Sequence, residues 1–131
     1  MSSITPTEVA TTLTDARRIL AERGRCRGTL WDGPPADPAT RCCPLGAIAL
    51  AVNPAEAAEG YPFIRRDERV QAAVFALKRV LPRPGVYLSD AHDPIARAME
   101  AVYCFNDNRT RSNDEVLAAL DAAAAAAASV P

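Results

Sequence analysis

This sequence lacks paired cysteine spacing, any strong excess of charge, any uncharged apolar run of membrane-spanning length and all but a few aromatics. Each absence closes off a class of function. Formal net charge is −1, so there is no basic surface of the kind that neutralises many phosphates at once, and nucleic acid is not expected as a partner. Crossing a bilayer as a helix takes roughly 20 apolar residues, and no such run occurs, so no membrane is expected either. The residues from Met1 to Glu8 show neither a basic nor an apolar leader region. The four cysteines, Cys26, Cys42, Cys43 and Cys104, are therefore expected as reduced thiols in a cytoplasm.

Three Phe, three Tyr and one Trp are the only aromatics, although 49% of the residues are hydrophobic. Alanine makes up much of that share. A core of this kind packs helices closely on small side chains, and one core is the default for 131 residues. Basic charge is carried almost wholly by arginine, with Lys78 the sole lysine. Arginine forks suit carboxylate or phosphate recognition, but together with the alanine excess the bias reads as the product of a GC-rich genome. Arg65, Arg66 and Arg69, interleaved with Asp67 and Glu68, read as a solvated face.

Capping signals divide the chain into helices. Thr5, Pro6 and Glu8 open the first, and Gly24 stops it. From Arg25 to Thr40 the periodicity breaks into a Pro-rich loop holding Trp31, with a short extended piece at Thr29 to Trp31. The most continuously apolar stretch follows, from Arg41 to Val52, and is expected as the central helix with its start set by Pro44 and an apolar stripe of Leu45, Ile48, Ala49 and Val52. Asn53 to Glu56 opens a short helical turn to Gly60, and Tyr61 to Ile64 reads as a connector that covers core. A third long helix runs from about Arg65 or Asp67 to Leu81, ended by Pro82 and Pro84. Asp93 and Pro94 open a fourth with Ile95, Met99, Val102 and Phe105 facing inward. Ser112 and Glu115 cap a fifth, which runs into seven alanines, where fraying is expected over residues 122–131. The expected fold is all-α: one domain over residues 1–131, an irregular bundle of about five helices with Pro-rich loops.

Cys43 is the sharpest chemical candidate. A thiol in the first turn of a helix feels the dipole and nearby N–H groups, which favour the thiolate. His92, the sole histidine, is the one imidazole able to act as its base, with Asn106 or Asp107 to orient it. The competing expectation is a buried structural cysteine, and no catalytic residue is assigned on this evidence. A metal site built from Cys26, Cys42, Cys43 and His92 has no supporting ligand spacing, so no metal and no cofactor is expected. Asn106, Asp107 and Asn108 read as capping residues between two helices. The alternative is a binding notch beside the central helix, formed by Asp107 and Arg109 with Trp31 and Asp32 from the loop and Gly46 as a point of close approach.

Leu30 and Trp31 before a Gly- and Pro-rich loop, then Cys43-Pro44-Leu45-Gly46-Ala47, then Phe105-Asn106-Asp107 ahead of Glu115, form a pattern. It resembles a family of small uncharacterised proteins of high-GC bacteria and their phages, which carries a domain-of-unknown-function label. That family shows a Trp loop, a Cys-x-Leu-Gly-Ala helix start and a Trp-Asn-Asp turn, and Phe105 stands where the pattern has Trp. The resemblance implies no activity. It does imply that the Trp31 loop, Cys43 and the Asn106-Asp107 turn form one unit. The expected function is therefore a non-enzymatic binding or regulatory accessory acting on a protein or small-molecule partner, with a Cys43 and His92 hydrolase or transferase as the alternative. The Ala-rich last helix offers a face for a homodimer.

Overall fold

The computed structural model describes residues 4–82 and 92–130. Among these residues there are seven helices: α1 (Pro6–Arg23), α2 (Pro44–Val52), α3 (Pro54–Ala57), α4 (Tyr61–Arg66), α5 (Glu68–Val80), α6 (Pro94–Asp107) and α7 (Asn113–Ala128). The count exceeds the expected five because the short helical turn after Asn53 counts as α3 and the expected connector Tyr61 to Ile64 is helical. Asn53 caps α3 through bonds from the Ala55 and Glu56 amides, and Tyr61 to Arg66 winds into α4, which buries Phe63 and Ile64. The other starts fall where the caps place them. Thr5, Asp67, Asp93 and Ser112 each accept a first-turn N–H, and Ser112 and Glu115 complete a capping box. The last helix continues to Ala128. Pro84 lies outside the described residues.

Helix α2 is the centre. Its residues from Pro44 to Leu50 are all buried, so it is covered on every side where a one-faced stripe was expected, and Val52, assigned to that stripe, is only half-buried. Such all-round burial marks a core helix. Helices α1, α4, α5 and α6 pack against it, while α7 lies along α1 and α5. Leu13, Ala16 and Leu20 of α1 and Val116, Leu120 and Ala123 of α7 are the buried residues of those two helices. Alanine in both sets lets the axes approach closely.

The loop before α2 is held by backbone pairing. Cys42 donates its N–H to the Gly24 carbonyl at 3.1 Å and accepts from the Cys26 N–H at 3.0 Å. On the other side, the Asp32 N–H reaches the Arg41 carbonyl at 3.2 Å and the Cys43 N–H reaches the Leu30 carbonyl at 2.9 Å. Residues 41–43 thus run between two other short extended segments, one parallel and one antiparallel. This ladder presses the Leu30 carbonyl onto α2. A Cβ on Gly46 would stand 2.6 Å from that oxygen and 3.0 Å from the Trp31 ring, so the close approach expected at Gly46 is made by the chain's own backbone.

Gly46→Ala should therefore destabilise the protein by about 2 kcal/mol, although alanine is the better helix former by about 1 kcal/mol. Urea unfolding checks this, and a gain in stability would rule out the close contact.

Candidate functional site

Two latches tie the loop to the end of α6. Asn106, fully buried, donates from Nδ2 to the Cys26 carbonyl at 2.9 Å. Arg25 closes the same junction from the loop: Nη1 donates to the Asn106 carbonyl at 2.6 Å, Nη2 to the Arg111 carbonyl at 2.7 Å and Nε to Asn113 Oδ1 at 2.8 Å. A planar fork suits three fixed acceptors in a way that a lysine ammonium does not. The second latch is Asp107, whose Oδ1 accepts the Gly28 N–H at 2.9 Å. Gly28 adopts φ +79°, a left-handed conformation in which other residues are strained.

Where loop, α2, α4 and α6 meet there is a cleft of about 170 Å³. Gly28 and Thr29 line it from the loop, Cys43 and Leu45 from the start of α2, Tyr61 from α4, and Tyr103 and Asp107 from α6. Larger hollows exist on the surface, one of about 580 Å³ bordered by Asp15, Arg18 and Glu22 and an apolar one of about 450 Å³ bordered by Phe75, Ala123 and Val130. Neither gathers aromatic and acidic side chains from so many elements.

Cys43 is buried. It is the N-cap residue of α2, and its Sγ accepts the Gly46 N–H at 3.5 Å. Such bonds and the helix end pull its pKa down, but burial dominates and pushes it up from 9.0 to about 12. Cys42 is driven to about 12 in the same way, by burial first. His92 is exposed. It sits just before the start of α6. The Cys43 thiol is a buried cap.

Of the expected notch residues, Asp107 lines the cleft. Trp31 packs beside Gly46 and Asn106 holds the junction, so all three support the cleft from outside it. Asp32 turns elsewhere. Its Oδ2 lies 2.6 Å from Arg41 Nε, and that bond lowers its pKa. The pair borders a separate groove with Arg25, Arg27 and Asn113. Arg109 is exposed and outside the cleft. Among the described residues, no group of three or more His, Cys, Asp or Glu is arranged to hold a metal, and no helix is long and apolar enough to cross a membrane.

Tyr61, Tyr103, Gly28 and Arg25 were not singled out by sequence. One signal was present: Tyr103 and Asp107 are four residues apart and so share a helix face. Tyr61 gave none, because its place depends on α4 being helical.

Over residues 4–126 the chain matches DUF6197, described as a family of unknown function, and it belongs to that family. No curated protein and no solved structure matches it.

Two outcomes test the cap. Cys43→Ser keeps a cap acceptor and should stay within about 1 kcal/mol of wild type, whereas Cys43→Ala should lose about 1 to 2 kcal/mol; equal losses would remove the cap role. The second outcome is alkaline sensitivity. Between about pH 9 and 12 an unfolded Cys43 has lost a proton that the folded one keeps, so stability falls as pH rises through that window. In Cys43→Ser the fall should be shallower by up to ~1.4 kcal/mol per pH unit. Native-buffer alkylation read by mass spectrometry should label exposed Cys104 and spare Cys43.

Proposed function

We propose that this protein is a non-enzymatic binding module that recognises its ligand or partner at the Tyr61, Tyr103 and Asp107 cleft. One observation carries this reading. The exposed large hydrophobic residues among those described are Tyr61 at 46%, Tyr103 at 37% and Val130 at 54%, and the two tyrosines come from different helices to line one cleft. In a chain so poor in aromatics, two left at the surface on one hollow favour recognition. The hollow is smaller than the roughly 300 Å³ lower end of drug-sized sites, which suits a small molecule or one side chain of a larger partner. Cys43 serves as floor and cap. Free thiols at all four cysteines suit a reducing cytoplasm.

A ligand-observed NMR fragment screen followed by amide shifts in labelled protein tests the proposal. Hits should move the Gly28 and Asp107 resonances, lose most of their affinity in Tyr103→Ala and keep it within about threefold in Cys43→Ser. Hits that bind only at other surfaces, or that Tyr103→Ala leaves unchanged, would overturn it.

A further inference from the structure

We infer that the cleft takes a cation, a primary or methylated ammonium group seated against the Tyr61 and Tyr103 rings with the Asp107 carboxylate as counter-charge. This rests on the reading of the cleft as a binding site and names the chemical class of its ligand.

The cationic donors that would suit an anion are missing or already used. None of the residues lining the cleft is basic, although the chain carries 15 Lys and Arg residues. The start of a helix often attracts anions through its free N–H groups, but Pro44 has no N–H and the Gly46 N–H is turned onto Cys43 Sγ. Arg25, whose guanidinium feels Asp107, spends its donors on Asn106, Arg111 and Asn113 and borders the neighbouring groove.

The groups that suit a cation are present and held. Asp107 Oδ1 accepts from the Gly28 N–H at 2.9 Å and from Asn106 Nδ2 at 3.3 Å. Those bonds orient the carboxylate and leave Oδ2 for a ligand. Tyrosine rings present negative faces that attract ammonium groups. The Tyr103 and Tyr61 hydroxyls are both held above their ordinary pKa, by burial first and with Asp107 among the further causes, so Asp107 is felt at both rings. A volume of about 170 Å³ accommodates an ammonium head with a short alkyl stem.

The test titrates n-butylammonium, tetramethylammonium, 1-butanol and butyrate into isotopically labelled protein at low salt, following the Gly28 and Asp107 amides. A blocked Gly-Lys-Gly peptide forms a further arm. Asp107→Asn keeps the carbonyl that accepts from Gly28, and Tyr103→Leu changes an exposed side chain, so both variants should fold, which circular dichroism checks. The ammonium probes should bind at least about tenfold more tightly than 1-butanol. That preference should shrink to within about twofold in Asp107→Asn, and Tyr103→Leu should weaken the ammonium probes severalfold. Tighter binding of the peptide than of n-butylammonium assigns the cation to a partner's side chain, and equal binding assigns it to a free amine; both support the inference. If 1-butanol or butyrate binds at the same resonances as tightly as the ammonium probes, the cation class is wrong while the cleft stands. If no probe moves those resonances, both the inference and the binding-site reading fall.

Discussion

A helix whose first turn is buried on every side must satisfy its N–H groups without water, and the structure around α2 is arranged to meet that requirement. Pro44 removes one donor outright. Cys43 N–H goes to the Leu30 carbonyl, Gly46 N–H to Cys43 Sγ and Ala47 N–H to the Cys43 carbonyl. Meeting these needs draws the loop across the helix start. The loop then brings the Leu30 oxygen so near that only glycine fits at position 46.

Fastening the loop there creates a second requirement, because its own backbone must be held from the far side. The end of α6 does this through Asn106 and Asp107, with Arg25 bridging back to the turn before α7. These contacts link residues about eighty positions apart in the chain. Hydrogen bonds join the Trp31 loop to Cys43 and to Asn106 and Asp107 at the end of α6. The junction's internal contacts are structural, and its open face is the cleft.

The cleft inherits its electrostatics from that construction. A thiol serving as cap in a dry environment keeps its proton, which removes a nucleophile and leaves a neutral floor. The carboxylate that lines the cleft is anchored through Oδ1 by a glycine N–H. Tyrosine supplies apolar rings with polar tips, and such side chains tolerate partial exposure at a recognition surface. Glu100, fully buried in α6, is among the causes that raise the Tyr103 pKa after burial. The position of a carboxylate inside that helix is not legible from an apolar periodicity.

The sequence by itself determined where helices begin and end, because caps, prolines and glycines act on φ, ψ and N–H groups within a turn of chain. Thr5-Pro6, Cys43-Pro44, Asp93-Pro94 and Ser112 to Glu115 were legible for that reason. So was close approach at Gly46, since a missing side chain beside a helix start has few other uses. Tyr61 to Ile64 reads as a connector in sequence because so few residues hold too little periodicity to announce a helix, and α4 is held by the burial of Phe63 and Ile64. Tertiary structure alone decided the state of Cys43 and the membership of the cleft. Dipole and burial act on a thiol in opposite directions, and the stronger depends on how much protein surrounds the sulfur, which neighbours in sequence do not specify.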